Sequence, residues 1–183
     1  MKKIISLFQR NYEGDHLVRD EVVPGAEWVI AGEGEATRKW DGTCAMRRNG
    51  KWYKRYDAKP GRVPPEGFEA AQEPDPVTGH HPGWVPVGDG PEDRWFREAM
   101  PQDHADGTYE LCGPKIGKNS EKLPHHFFLR HGAQKIQDAP RTFHELKEWF
   151  KDKDIEGIVW HHLDGRMVKI KGRDFGIKRG SKQ

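Results

Sequence analysis

The chain has 183 residues, 34% hydrophobic and 33% charged, with a mean hydropathy of −0.97. That length suits one packed domain and is short for two, so a single domain over 1–183 is expected, with seven Trp and eight Phe as large core anchors. A net charge of +2 excludes a bulk cationic binder of polyanions, so any nucleic acid must be met by a local patch.

Nothing in the sequence reaches the apolar length of a membrane span, and the opening Met-Lys-Lys-Ile-Ile-Ser-Leu-Phe turns polar too soon for a signal peptide. The two cysteines, Cys44 and Cys112, do not suggest a secreted disulfide scaffold and read as small packing residues. A cytoplasmic protein with no membrane association and no obligate protein partner is expected.

In chain order, residues 3–8 read as a strand, Val22 and Val23 precede a Pro24-Gly25 turn, and 27–31 form a short apolar run broken by Gly32 and Gly34. Strand-like runs at 43–48 and 51–56 flank Asn49-Gly50, a strong hairpin signal because both residues tolerate positive φ. Residues 60–91 are rich in Pro and Gly and are expected to be a long loop or lid. A short helix is expected over 92–100, a strand over 108–113, a basic loop with Lys115, Lys118 and Lys122, and a strand over 126–130.

The best helix signal is 142–150, where Thr142 and Glu145 form a capping box and Phe143, Leu146, Trp149 and Phe150 share a face. A second hairpin, 155–162 and 166–171, turns at Asp164-Gly165. Mixed, mainly antiparallel strands with a few flanking helices indicate an α+β fold.

The chemistry centres on Lys39-Trp40-Asp41-Gly42. Lys-x-Asp-Gly alone is usually a surface turn, so the pieces that follow carry the signal. Glu110 lies in a strand, Glu156-Gly157 opens an apolar strand, and Lys169 and Lys171 alternate onto one face of its hairpin partner. Paired lysines on a strand are ordinarily a solvated face; beside Glu156 they can share a pocket with it. A lysine attacks phosphorus only as the neutral amine, and burial and neighbouring cations both favour that form. Lys39 is therefore read as a nucleophile taking a nucleotide from ATP. Histidine pairs at 80–81, 125–126 and 161–162 do not read as a zinc site, because neighbours on a strand face opposite ways.

Lys39-Trp40-Asp41-Gly42, Tyr109-Glu110, Glu156-Gly157-Ile158-Val159 and Lys169-Ile170-Lys171, in that order, resemble motifs I, III, IV and V of the covalent nucleotidyltransferases. Cys44 stands where DNA ligases and capping enzymes usually carry Arg, so Lys-Trp-Asp-Gly-Thr-Cys is more similar to RNA ligases, and especially to the small 5′–3′ RNA ligase family. Gly83-Trp84-Val85-Pro86-Val87 and Gly113-Pro114-Lys115 also look like that group, and the short stretch after Lys171 suggests no appended OB-fold.

The resemblance implies an ATP-dependent RNA ligase of 5′-phosphate and 3′-hydroxyl RNA ends, with a role in RNA repair. Lys39 would bear AMP, Glu156 would hold magnesium (or manganese), and Lys169 and Lys171 would grip the α-phosphate. Glu110 would reach the ribose or a metal-bound water, and Phe127 or Phe128 would stack on the base. Arg38, Asp41, Gly42 and Arg55 are further candidate nucleotide contacts. RNA contacts are expected from the basic loop, from Arg47, Arg48, Lys54 and Arg55, and from Lys178, Arg179 and Lys182, with single-stranded or looped ends as substrates. Two alternatives remain open: nucleotide transfer to a protein or small molecule, and a non-catalytic nucleotide- or RNA-binding module.

Overall fold

The structure is a computed structural model and describes residues 1–180; Lys182 lies outside the described residues. Its elements, in chain order, are β1 (Ile5–Ser6), β2 (Phe8–Arg10), β3 (Val18–Val22), α1 (Glu27–Ile30), β4 (Glu35–Lys39), β5 (Thr43–Arg48), β6 (Lys51–Ala58), β7 (Glu69–Ala70) and β8 (His81–Pro86). There follow α2 (Arg94–Ala99), β9 (Gly107–Cys112), β10 (Phe127–Arg130), α3 (Phe143–Phe150), β11 (Gly157–His161), β12 (Met167–Lys171) and a 3-10 turn, Gly172–Phe175. The class is α+β, with mainly antiparallel sheets and few helices. Among the described residues no helix is long and apolar enough to cross a membrane. The chain forms two compact units, Met1–Lys3 with Asp41–His131, and Ile4–Trp40 with Gly132 onward.

The first unit is a six-stranded sheet in the order β10-β9-β5-β6-β8-β7, antiparallel throughout. Asn49 and Gly50 adopt φ of 51° and 75°, the left-handed values a two-residue hairpin needs. Asp106 holds this turn by accepting the N–H groups of Asn49 at 2.7 Å and Gly50 at 3.3 Å, which keeps its carboxyl below the usual range. Strand alternation sends Ala45, Tyr109, Leu111 and Phe128 to one face, where they bury against Phe96 and Ala99 of α2. Cys44, Arg55, Glu110 and Phe127 alternate to the other face.

Residues 60–91 are more regular than their composition suggests. β8 pairs with β6 over six residues and carries two prolines, Pro82 and Pro86. Proline cannot donate to a ladder, but β7 covers β8 only at Trp84 and Gly83, so both prolines stand at positions where no outer strand needs their N–H.

The second unit has a four-stranded sheet, β1-β12-β11-β4, with β1 parallel and the rest antiparallel, plus the β2–β3 ribbon. β12 alternates cleanly: Val168 and Ile170 are fully buried, while Lys169 and Lys171 occupy the opposite face. The buried face joins Ile158 and Trp160 to Leu146 and Phe150 of α3. Two details differ from the sequence pattern. The apolar run at 27–31 is a helical turn, α1, that buries Trp28 and Val29. At α3, Thr142 makes no side-chain cap to the backbone; its hydroxyl donates to the Glu145 carboxylate at 2.6 Å instead.

Candidate active site

Lys39 is the last residue of β4 and pairs across the sheet with Gly157, which pairs in turn with Lys171. Residues directly opposite on neighbouring strands share a face, so Lys39 and Lys171 project on the same side, one strand apart on either flank of β11. Glu156 immediately precedes β11 and reaches both. Its Oε2 accepts from Lys39 Nζ at 2.6 Å, and its Oε1 lies 3.4 Å from Lys171 Nζ. These side chains are only 13–19% exposed, so the three charges are largely withdrawn from water. Lys169 is two residues earlier on the same face of β12, opposite Val159, one step away from this cluster.

Gly157 is required by the packing. A Cβ there would come within 2.2 Å of the Ile170 carbonyl oxygen and 3.0 Å of Lys171 Cα. Only glycine lets β11 approach β12 closely enough for Glu156 to meet Lys171. The end of β12 is also anchored. The buried Asp174 carboxylate accepts the Lys171 N–H at 2.9 Å and is itself held by Arg10 at 2.6 Å. Burial pushes the Lys171 ammonium below its ordinary value, with Lys39 and Arg173 acting in the same direction and Glu156 and Asp174 opposing.

Arg38 does not join this group. It alternates to the other face, opposite Ile158, with its guanidinium 4.2 Å over the Trp40 ring.

The first unit holds the other candidates. The Asp41 N–H donates to Glu121 Oε1 at 3.0 Å, and its carbonyl accepts the Cys112 thiol at 3.7 Å. Gly42 is needed where it is, since a Cβ would meet the Leu111 carbonyl oxygen at 2.2 Å. Glu110 is 12% exposed and bonds His131 Nε2 at 2.8 Å. Cys44 pairs directly with Glu110 across β5 and β9. Arg55 donates to the Met1 carbonyl at 2.8 Å and lies 4.7 Å over the Trp84 ring, and burial lowers its ionisation from the ordinary value.

Phe127 and Phe128 separate cleanly. Phe128 is 5% exposed and stacks on Trp52 at 3.9 Å, in the core under α2, so it is not placed to receive a base. Phe127 lies on the Glu110 face.

Most of the hairpin cations expected to meet RNA are engaged within the protein. Arg47 pairs with Asp106 at 2.7 Å, Arg48 with Glu69 at 2.8 Å, and Lys54 with the buried Asp93 at 2.5 Å. Arg179 pairs with Asp154 at 3.0 Å. Lys115, Lys118 and Lys122 are exposed. One histidine of each pair meets a carboxylate elsewhere in the chain: His80 meets Asp57, His126 meets Glu98 and His162 meets Glu33. Two groups were not singled out from sequence. His131 is an isolated histidine one residue past β10, and the Arg10–Asp174 pair joins residues 164 positions apart. Neither has a local pattern that would reveal it.

A carboxylate flanked by two sheltered lysines on an antiparallel sheet of an α+β protein defines a class suited to phosphate-group chemistry. Residues 98–183 match the family model described as RNA ligase 1. Curated relatives named RNA ligase 1 include one from Pongo abelii, 30% identical over 190 residues (78% of this chain, 58% of the relative). Another from Mus musculus is 33% identical over 136 residues (55% of this chain, 42% of the relative), and one from Danio rerio is 32% identical over the same length and shares. The chain thus spans about half the length of the curated relatives it matches. These matches support an RNA ligase family assignment for the chain. The family-model match includes Glu110, Glu156, Lys169 and Lys171 and begins after Lys39, so the place of Lys39 rests on the geometry above.

Proposed function

We propose that the chain is an ATP-dependent RNA ligase that joins 5′-phosphate and 3′-hydroxyl RNA ends through an AMP carried on Lys39. The observation that carries this reading is the contact of Lys39 Nζ with Glu156 at 2.6 Å, with Lys171 on the carboxylate's other oxygen.

In the first step the neutral Lys39 amine attacks the α-phosphorus of ATP. A nitrogen–phosphorus bond forms, the bond to the pyrophosphate oxygen breaks, and the proton of Lys39 goes to solvent. Lys171, with Lys169 on the same strand face, supplies positive charge for the α-phosphate. Next, an oxygen of an RNA 5′-phosphate takes AMP from Lys39, giving a phosphoanhydride and restoring the amine. Finally a 3′-hydroxyl attacks that 5′-phosphorus, AMP leaves, and the strand is sealed.

Glu156, a sheltered carboxylate with both oxygens facing the lysine cluster, fits a hard divalent cation such as magnesium or manganese. Bound there, the ion would neutralise charge on the departing pyrophosphate. Glu110 and Phe127 are proposed as contacts to the ribose and base, and Arg55 as a contact to phosphate.

The test is sealing of a 5′-phosphorylated RNA against matched DNA and a nicked duplex. RNA joining that requires ATP and the 5′-phosphate is expected. Sealing of nicked DNA with RNA ends inert would overturn the RNA assignment. Labelled protein with every polynucleotide unsealed would point to a protein or small-molecule acceptor.

A further inference from the structure

We propose that Cys44, Glu110 and His131 form a binding site for a thiophilic divalent cation of the zinc class. The three side chains are brought together by the sheet, not by sequence proximity. Cys44 and Glu110 are direct partners across β5 and β9 and so project on one face. His131 follows β10 and reaches Glu110 Oε2 with Nε2 at 2.8 Å. The sulfur, a carboxylate oxygen and an imidazole nitrogen all lie within 4.8 Å of one another. A tetrahedral ion with bonds of about 2.0–2.3 Å sets its donors roughly 3.3–3.8 Å apart, so small side-chain shifts close the site.

The chemistry of the donors narrows the ion. A sulfur ligand selects zinc-like metals and disfavours magnesium and calcium. A thiolate and a carboxylate together carry two negative charges, matching a divalent cation, while His131 binds neutral. Its other nitrogen, Nδ1, stands 3.0 Å from Thr108 Oγ1; donating there fixes the ring and leaves Nε2 as the lone-pair donor. Three protein ligands leave a fourth position open. Binding breaks the Glu110–His131 hydrogen bond, the Cys44 thiol proton passes to solvent, and the neutral His131 keeps its one ring proton on Nδ1. Glu110 and His131 are 12% and 21% exposed, sheltered yet reachable.

Metal binding stands apart from the ligase reading. Its consequence rests on that reading: zinc on Glu110 would withdraw it from the nucleotide, so zinc would inhibit adenylation where magnesium supports it.

The test uses the full chain without ATP or RNA. Zinc is titrated in competition with a chromophoric indicator, and cobalt(II) is used as a spectroscopic stand-in. One zinc per chain is expected, resistant to excess magnesium and weakened at least about tenfold in Cys44→Ser and in His131→Ala. Cobalt-loaded wild type should show sulfur-to-cobalt charge-transfer absorption that Cys44→Ser lacks. Thermal melts of the metal-free proteins identify folded variants, and Glu110→Gln serves where one fails. Zinc held equally by wild type and the folded variants, or no zinc retained against the indicator, overturns the site.

Discussion

Replacing Lys39 by Met and Glu156 by Gln, singly and together, measures the interaction on which the site is built. The contact is 2.6 Å between groups 19% and 13% exposed. At an effective dielectric near 20, two unit charges about 4 Å apart attract by about 4 kcal/mol. Withdrawing each ion from water costs several kcal/mol, so only part of that attraction survives as a net contribution. A hydrogen bond between charged groups contributes about 1.5–3 kcal/mol, and that is the coupling expected here. It exceeds the roughly 0.2–1 kcal/mol of an exposed pair. Urea unfolding of the four proteins at neutral pH gives the coupling as the deviation from additivity. Lys171→Met in place of Lys39→Met should couple less, because its 3.4 Å contact is longer. Additivity within about 0.5 kcal/mol for Lys39 and Glu156 would refute a preorganised pair.

Other outcomes are equally specific. Burial lowers the Lys171 ionisation, so the unfolded chain binds more protons than the folded one between the two values, and stability rises with pH in that window. The melting-temperature difference between wild type and Lys171→Met should therefore move in favour of wild type as pH rises from neutral toward about 10, near the free lysine value; a difference constant with pH would contradict this. Gly157→Ala forces a Cβ to 2.2 Å from the Ile170 carbonyl oxygen, and overpacking of this kind costs about 1–3 kcal/mol by denaturant unfolding. Leu146→Ala, at a fully buried position, should cost about 2–5 kcal/mol. Lys115→Gln and Lys118→Gln should each reduce the salt dependence of RNA binding by about 0.7 in log–log slope, while Arg47→Gln leaves it unchanged, since Arg47 is held by Asp106.

Patterns that act over a few residues were legible in the sequence. The alternation of Val168 and Ile170 with Lys169 and Lys171 gave both the strand and its two faces. Asn49-Gly50 specified its turn through the positive φ both residues accept. What depends on register or on distant partners was not legible. Phe127 and Phe128 differ only in which side of β10 they occupy, and that is set by pairing with β9. Arg38 and Lys39 face opposite ways on β4, and only pairing with β11 shows which face holds the cluster. β8 was hidden because its prolines read as breakers until the short β7 is seen beside it. His131 and Asp174 owe their positions to contacts made across the chain, to Glu110 and Arg10.

The central claim is that Lys39 is the nucleophile. The direct measurement is incubation with ATP labelled on the α-phosphate and magnesium, followed by a denaturing gel and peptide mass spectrometry. The account predicts one AMP, stable to alkali and released by acid as a nitrogen–phosphorus bond is, on the peptide containing Lys39. The adduct should be lost in Lys39→Ala and also in Lys39→Arg, which keeps the positive charge beside Glu156 but cannot supply a neutral amine. An AMP adduct persisting in either variant, or mapped to another residue in wild type, would contradict it.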